Sequence, residues 1–329
     1  MEKNGLIWGD LLHFGYNMWH NTPRERAFNI PPGKSEDYLS GTSVADHVRC
    51  DPNSWRVVTD HAADKGLNMI MIDVGEALIY PSHPELAVKG SWDVDRFRAE
   101  LARLRSRGLE PIPKLNFSAC HDTWLGEYER MVSTPTYYKV CADLIRDVAE
   151  VFDHPRFLHI GYDEEDFGNQ RMNELAIVRN GELWWHDFLW FIKTVEDAGM
   201  RPMAWSDYCW RHRDEYLRRC PKVLLQSNWY YRQWFDFETI PPQRKIHLET
   251  FIALDKAGFD QLPCGSVWAC DENFPGLVEF CRKHIDPSRL KGFLMAPWMM
   301  CKPSNDARQN KAIDIVADAR KRFYPPSGV

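Results

Sequence analysis

Four consecutive acidic residues are the strongest sign of chemistry in the sequence. Asp163, Glu164, Glu165 and Asp166 directly follow an apolar run at 157–162, which has the length and composition of a buried strand. Neighbouring carboxylates repel one another unless protons, cations or ligands offset their charge, so structural acids usually avoid this arrangement. Adjacent side chains on an extended chain diverge, so Asp163 and Glu164 can take two different catalytic roles toward one substrate. We assign Glu165 and Asp166 to loop or helix-capping roles.

The acids belong to a pattern that repeats eight times along the chain. Each repeat has a short apolar run, a polar stretch and an amphipathic helix ending near Gly or Pro, which indicates parallel β-α units. Eight units match a closed (β/α)8 TIM barrel of the α/β class better than an open sheet. The predicted strands are 6–15, 67–74, 110–117, 157–162, 201–206, 222–227, 264–268 and 292–297. The predicted helices are 53–65, 93–107, 138–152, 182–198, 215–219, 249–257, 275–283 and 306–322.

The chain is predicted to form one catalytic domain over residues 1–329. It contains no Gly/Ser linker, low-complexity tract or charge block that would mark a second domain. A doubly wound sheet would normally carry a phosphate-binding glycine loop after its first strand, and residues 9–15 contain no G-x-G-x-x-G. The barrel is therefore the favoured architecture.

Catalytic residues of such barrels come from the carboxyl ends of the strands, so polar and aromatic residues at these ends are the candidates for binding substrate. Four Trp lie at the ends of strands five to eight, one from each, and indole faces suit sugar rings because they combine apolar area with a polar edge. His20 also follows the first strand. The substrate-binding candidates are His13, Asn17, Asp73, Asn116, His121, His159, Trp205, Asp207, Asn228, Trp229, Tyr230, Trp268 and Trp298.

Composition limits the class of partner. Hydrophobic residues at 44% and charged residues at 27% are ordinary for a globular protein. A net charge of -6 without any run of Lys or Arg argues against nucleic acid and membrane partners. Nine Cys without a C-x-x-C pair indicate reduced thiols and hence the cytoplasm. We expect a small carbohydrate substrate, no cofactor and no metal, with monomer and homo-oligomer both open.

The segment His159-Ile160-Gly161-Tyr162-Asp163-Glu164 resembles the fourth-strand motif His-x-Gly-Gly-Asp-Glu of family 20 glycoside hydrolases. The resemblance implies an exo-β-N-acetylhexosaminidase. It implies that Glu164 is the general acid that protonates the glycosidic oxygen. It also implies that Asp163 orients the 2-acetamido group of the substrate, whose carbonyl oxygen is the nucleophile, and that Trp side chains from the later strands line the acetamido pocket.

The chain departs from the motif of that family at one position. Tyr162 stands where the family has Gly, and we expect its side chain to crowd the strand end or reshape the sugar subsite. Tyr230 and Tyr231, near the sixth strand, are the candidates for the acetamido-binding Tyr of the family. Whole segments, such as 113–121 and 226–231, are more similar to a group of bacterial barrel proteins without assigned function.

Three other functions fit the same residues. A retaining glycosidase could use Asp271 or Glu272 after strand seven as a direct nucleophile about 5 Å from Glu164. A non-catalytic barrel could bind carbohydrate with the same acids and Trp residues. Lys114 could bind a hydroxyl in any of these cases, whereas no second feature supports it as a Schiff-base lysine. A metal-dependent sugar isomerase or hydrolase could draw its ligands from His13, Asp73, His83, Glu85, His121 and Asp122.

Overall fold

The computed structural model describes residues 5–19, 44–171, 173 and 175–325. Eight parallel strands form one sheet in the order β6-β5-β4-β3-β2-β1-β8-β7. Bridges from Gln226 to Gln261 and from Trp229 to Cys264 join the segments of β6 and β7, which brings the sheet round into a barrel. The predicted (β/α)8 barrel is therefore confirmed. The strands are β1 (Ile7–His13), β2 (Met69–Asp73), β3 (Glu110–Lys114), β4 (Phe157–His159), β5 (Arg201–Trp205), β6 (Leu225–Ser227), β7 (Cys264–Gly265) and β8 (Gly292–Met295).

Helices surround the sheet, close to the predicted positions. The helix predicted at 215–219 is the second of two short helices, and the others differ from prediction by a few residues at their ends. The helices are α1 (Pro52–Asp64), α2 (Val94–Ser106), α3 (Pro135–Val151), α4 (Phe167–Gln170), α5 (Glu182–Asp197), α6 (Tyr208–Arg211), α7 (Arg213–Arg219), α8 (Lys245–Lys256), α9 (Asn273–His284) and α10 (Asp306–Phe323). Among the described residues, no helix is long and apolar enough to cross a lipid bilayer.

The helix ends follow from local sequence. The Asp51 side chain accepts hydrogen bonds from the backbone N–H groups of Asn53 and Ser54 at the start of α1. Asp93 caps α2 in the same way through the N–H of Arg96. Such caps satisfy backbone donors that have no partner inside the helix. Gly108 follows α2 with φ of 81°, a left-handed conformation that favours glycine.

The alternation of strand residues decides which side chains reach the site. Leu11 of β1, Ile112 of β3 and Met203 of β5 pack inside the barrel, whereas Leu12 and Leu158 pack against the helices. Successive side chains of a strand point to opposite faces. The interior series therefore continues at the carboxyl ends with His13, Asp73, Lys114, His159 and Trp205, and Asn116 and Asp207 lie two residues after β3 and β5.

Candidate active site

The backbone after β4 makes a tight, left-handed turn. Gly161, Tyr162 and Glu164 have φ values of 67°, 71° and 56°, a region that costs energy for residues other than Gly. A Cβ on Gly161 would lie 2.0 Å from Oδ1 of Asn116, so only glycine fits at that position. The same Asn116 oxygen accepts a hydrogen bond from the backbone N–H of Ser118. The turn is thus packed directly against the end of β3.

Tyr162 leaves the barrel on the helix side. Its buried ring lies 5.3 Å from Trp184 and 4.9 Å from Phe188, measured between ring centroids. The Arg179 guanidinium lies 4.4 Å from the centre of the Tyr162 ring. We expected Tyr162 to crowd the strand end or reshape the sugar subsite, but its side chain lies in the layer between the sheet and the helices.

Asp163 is held as a carboxylate. The Asn116 amide donates to Oδ1 of Asp163 at 3.0 Å, and Nδ1 of His121 lies 3.2 Å from the same oxygen. Burial by itself would raise the pKa of Asp163, but the charge of His121 and its hydrogen bond outweigh burial and lower the pKa to about 2. Asp163 is therefore ionised throughout the neutral range.

Glu164 has the opposite tendency. Its side chain is 36% exposed and its Oε2 lies 3.5 Å from Nε2 of His121. Burial raises the pKa of Glu164; the charge of His121 opposes that effect and the negative charge of Asp163 adds to it. Two adjacent carboxyls thus differ in proton affinity, which is the arrangement that separates an acid from an ionised carboxylate in one site.

His121 carries the compensating charge. Burial would lower the pKa of His121, but the charge and hydrogen bond of Asp163, together with the charge of Glu164, raise it to about 9. The imidazole is therefore positively charged at neutral pH. Its two ring nitrogens face the two carboxyls separately.

The floor of the site is a buried ion pair. Nζ of Lys114 lies 2.5 Å from Oδ2 of Asp73, and neither side chain reaches solvent appreciably. Nδ1 of His13 lies 3.3 Å from the same Asp73 oxygen. Burial opposes ionisation of Asp73, but the charge of Lys114 outweighs it and lowers the pKa of Asp73. Because Lys114 is committed to Asp73, it acts as a fixed cation beneath the site.

Aromatic rings form the inner wall. The ring centroid of Trp205 lies 4.3 Å from His159 and 6.0 Å from Trp298, and His13 lies 5.5 Å from Trp298. The Gly161 N–H donates to Nδ1 of His159, so the neutral ring carries its proton on Nε2; burial lowers the pKa of His159 to about 3. Within the described part of the chain, Nε2 of His159 and Nε1 of Trp205 are buried without hydrogen-bond partners. Both are donors for a ligand.

Tyr231, rather than Tyr230, faces the barrel interior. Tyr231 stacks on Trp229 with 4.9 Å between ring centroids, and both pack against the interior cluster. Burial raises the pKa of Tyr231, with the charge of Asp163 among the smaller causes. Tyr230 instead donates its hydroxyl hydrogen bond to the Trp234 carbonyl at 2.9 Å and packs on Phe235. The structure thus excludes Tyr230 from the group around Asp163.

Two predicted asparagines have structural partners instead. The Asn17 amide donates to the Ala45 carbonyl and its Oδ1 accepts from the Ala45 N–H, both at 2.9 Å. Asn228 accepts from Nε1 of Trp210 and donates to the His247 carbonyl. Both amides are consumed in holding loops and helices to the barrel, so neither side chain joins the site.

Three further aromatic residues lie at the carboxyl end of the barrel. Trp268 was predicted from the sequence, whereas Tyr16 and Trp19 were not. Trp268 is 50% exposed after β7, with the Arg232 guanidinium 6.0 Å from its ring. Tyr16 packs on His13 at 4.8 Å, and Trp19 lies 5.8 Å from His121, between ring centroids. His20 lies outside the described residues.

The alternative carboxyls after β7 have other roles. The Asp271 carboxylate lies 2.6 Å from both Arg308 and Lys311 of α10. Glu272 is exposed at the start of α9. An ionic contact to two cations makes Asp271 a structural acid, and the arrangement gives little support to a direct nucleophile there.

The proposed metal ligands do not gather into one set. His83 contacts Glu85 at 2.8 Å and Asp143 at 3.2 Å, in a network on the helix side. In the part of the chain that the structure describes, one group of three candidate ligands lies together, namely His121, Asp163 and Glu164, with atoms within 4.8 Å of one another. That spacing would admit a cation, but the positively charged His121 imidazole already lies against both carboxyls.

Glu165 anchors the loop, as its predicted structural role requires. The Ala119 N–H donates to Oε1 of Glu165 at 2.8 Å. The Arg179 guanidinium binds both Glu165 oxygens, lies 3.4 Å from Oδ2 of Asp187 and donates to the Phe117 carbonyl at 2.7 Å. All three ionic side chains are almost completely buried. Arg179 carries no local sequence signal because its partners are distant along the chain.

The fold of this chain is similar to that of several proteins of known structure. No protein-family model and no curated protein sequence matches the chain. The β-N-acetylhexosaminidase from Bacteroides fragilis matches 94% of this chain and 65% of its own length, with TM-score 0.61 and 9% identity. The family 20 exo β-N-acetylglucosaminidase from Vibrio harveyi, in complex with N-acetylglucosamine, matches 98% of this chain and 57% of its own length, with TM-score 0.58 and 12% identity. The N-acetyl-β-hexosaminidase from Streptomyces plicatus matches 97% and 68%, with TM-score 0.55 and 11% identity.

These matches confirm the distant structural resemblance to family 20 glycoside hydrolases and show a shared barrel fold. The chain spans little more than half the length of the Vibrio harveyi protein.

Proposed function

We propose that this chain is a glycoside hydrolase that releases terminal β-linked N-acetylhexosamine by substrate-assisted, retaining hydrolysis. The observation that carries the proposal is the pairing of an ionised Asp163 with an adjacent Glu164 whose pKa is raised. An acid that keeps its proton and a neighbouring carboxylate are what this chemistry requires of the protein. The structural neighbours, which include an exo β-N-acetylglucosaminidase, support the choice of sugar and of exo action.

The proposed reaction assigns one role to each carboxyl. Glu164 donates its proton to the glycosidic oxygen as the bond to the anomeric carbon breaks. Asp163 accepts a hydrogen bond from the acetamido N–H, so the acetamido carbonyl oxygen is held against the anomeric carbon and bonds to it. Water then attacks the same carbon while Glu164 takes a proton from that water. The bond between the acetamido oxygen and the anomeric carbon breaks, which restores the acetamido group, and the sugar leaves with its configuration retained.

The walls of the site suit a sugar. Trp205, Trp229 and Trp298 present apolar faces, and Nε2 of His159 and Nε1 of Trp205 present donors without partners among the described residues. Hydroxyl oxygens of a carbohydrate would satisfy both donors. We therefore propose a small carbohydrate as the partner, without a cofactor. The nine free cysteines are consistent with the proposed cytoplasmic location.

The test is hydrolysis of aryl β-glycosides with and without a 2-acetamido group by the parent protein, Glu164→Gln, Asp163→Asn and Asp271→Asn. We expect turnover only of acetamido sugars. Glu164→Gln should reduce it by about 10² to 10⁴-fold, the usual contribution of a general acid. Asp163→Asn should also reduce turnover strongly, whereas Asp271→Asn, whose carboxyl is bound by Arg308 and Lys311, should retain it.

Other outcomes identify the rival functions. Turnover of plain hexosides that disappears in Asp271→Asn would indicate a direct nucleophile after β7. Sugar binding without turnover in the parent, retained by Glu164→Gln, would indicate a carbohydrate-binding barrel. Turnover that a chelator abolishes would indicate a metal-dependent enzyme.

A further inference from the structure

Asp207 is a third carboxyl of the site, at the end of β5. Its Oδ2 accepts a hydrogen bond from the backbone N–H of Glu164 at 2.9 Å. Its Oδ1 is buried and has no hydrogen-bond partner among the described residues. Asp207 lies two residues after Trp205, the last residue of β5, and beside Asp163 and Glu164. The unpartnered oxygen therefore belongs to the same cluster of carboxyls as the proposed catalytic pair.

The charges around Asp207 are unbalanced. It faces Asp163 and Glu164 of the loop after β4, while the cation His121 lies against those two carboxyls. In the part of the chain that the structure describes, no ion pair reaches Asp207. Two nearby carboxyls cannot both ionise cheaply, and the one without a cation keeps the proton. Burial and the charge of Asp163 accordingly raise the pKa of Asp207 to about 8.

We propose that Asp207 is a specificity-determining residue that works as a neutral carboxylic acid: one oxygen fixes the Glu164 backbone, and the other donates a hydrogen bond to an acceptor oxygen of the bound sugar. The identity of the ligand as a sugar rests on the proposed function, whereas the protonation of Asp207 does not depend on it. A carboxylic acid offers one donor and one acceptor, which the two contacts require. Ionisation would remove the donor and place a second negative charge beside Asp163, so sugar binding weakens at alkaline pH.

Protonation can be tested without any sugar. The infrared spectrum of the parent at pH 6.5 should contain the C=O band of a buried protonated carboxyl that is absent from Asp207→Asn and disappears as the pH rises through about 8. Asp271→Asn is the matched control, because its carboxyl lies between two cations and should contribute no such band. A parent that lacks a band assignable to Asp207 at pH 6.5 would overturn the inference.

The donor role is tested by calorimetric titration of N-acetylglucosamine into the parent, Asp207→Asn and Asp207→Leu at pH 6 and pH 9. The Asn side chain reproduces the donor and the acceptor without titrating, so its affinity should match that of the parent at pH 6. Asp207→Leu should bind about 3- to 10-fold more weakly, the loss expected for one hydrogen bond. The parent should bind about 10-fold more weakly at pH 9 than at pH 6. The reason is that pH 9 is about one unit above the pKa of Asp207, so only about a tenth of the molecules keep the proton that is donated to the sugar.

The Asp207→Asn variant also separates the effect of Asp207 on the pH dependence of binding from the effect of His121. The pKa of His121 is raised to about 9, so both proteins share any effect of that imidazole, and only the parent should show the additional loss at pH 9. Thermal unfolding checks that each variant is folded. Equal binding by Asp207→Leu and Asp207→Asn, or an equal loss at pH 9 in the parent and Asp207→Asn, would overturn the inference. Failure of the parent to bind any sugar would instead contradict the proposed function, and the infrared band would still decide the state of Asp207.

Discussion

Nδ1 of His121 lies 3.2 Å from Oδ1 of Asp163, and both side chains are buried. The pair places a fixed positive charge between Asp163 and Glu164, because Nε2 of the same ring faces Glu164. The charge keeps Asp163 ionised while Glu164, the more exposed of the two, retains a raised pKa. The two neighbouring carboxyls therefore differ in proton affinity, and Glu164 has the higher pKa.

The stability of the fold should fall between about pH 6.5 and pH 9 because of His121. Its pKa rises to about 9 on folding, so the folded state retains a proton that the unfolded state loses near its ordinary value of about 6.5. The resulting stabilisation is complete below about pH 6.5 and is lost as the pH passes 9, with a size of about 3 kcal/mol. Urea unfolding at pH 6, 7.5 and 9 measures it.

His121→Asn should flatten that part of the pH dependence, whereas His61→Asn should leave it in place. His61 is the control because its contact with Asp314, at 3.0 Å, lies on the partly exposed helix side. A parent whose free energy of unfolding is the same at pH 6 and pH 9 would contradict the charged state assigned to His121.

Asp207 should destabilise the fold progressively as the pH rises from about 4 to about 8. Its folded pKa is raised to about 8, so within this range the unfolded state loses a proton that the folded state keeps, and the free energy of unfolding decreases. Asp207→Asn should remove this decrease and be more stable than the parent at pH 8. Asp271→Asn should be less stable than the parent there, because Arg308 and Lys311 lower the pKa of Asp271. Urea unfolding of the three proteins from pH 4 to pH 8 tests both signs.

Successive side chains of a strand alternate between the two faces of the sheet. Using this alternation identifies more of the site residues correctly than selecting every polar or aromatic residue at a strand end. Leu225 of β6 faces the interior, so residues 227, 229 and 231 follow it inward, while Asn228 and Tyr230 face the helices. Selecting polar and aromatic residues without regard to this alternation assigned Asn228 and Tyr230 to the site and left Tyr231 as one of two candidates. The strand positions themselves followed reliably from apolar runs and helix caps.

Long-range partners were beyond the reach of the sequence. Asn17 lies past the end of β1, and its amide pairs with Ala45, which is distant along the chain. Arg179 pairs with Glu165 and packs on the Tyr162 ring, although it is close to neither residue in the sequence. The raised pKa of Asp207 arises because His121 lies against Asp163 and Glu164 and not against Asp207. These residues follow three different strands, so their arrangement depends on how β3, β4 and β5 pack together.

Gly161→Ala should destabilise the protein and impair turnover. The new Cβ would lie 2.0 Å from Oδ1 and 2.9 Å from Cα of Asn116, and φ at this position is 67°. Asn116 must move, and it carries a hydrogen bond to Asp163. Gly199→Ala is the matched control, because Gly199 has φ of 81° and open space around its Cβ direction. The control should lose about 1–2 kcal/mol from the left-handed backbone alone, and Gly161→Ala should lose more. Equal losses with unchanged turnover would show that contact with Asn116 is unimportant.

Arg179→Met should lower both stability and the rate of the proposed reaction. Removal of one partner from a buried ionic network leaves Glu165 and Asp187 without their cation, a change that typically costs about 3–5 kcal/mol. Arg211→Met is the matched control, since Arg211 contacts the neighbouring loop acid Asp166 at 3.1 Å but is largely exposed, and it should cost less than about 1 kcal/mol.

The kinetic consequence of Arg179→Met distinguishes loop positioning from general weakening of the fold. Glu165 directly follows Glu164 in the chain. Loss of the contact between Arg179 and the Glu165 carboxylate should therefore let the Glu164 side chain move away from His121. Well below the unfolding temperature of the variant, kcat should therefore fall more than KM changes, and the pH profile of kcat should shift because Glu164 loses its fixed distance from His121. A folded Arg179→Met protein with the parent kcat and the parent pH profile would show that the network stabilises the barrel without positioning Glu164.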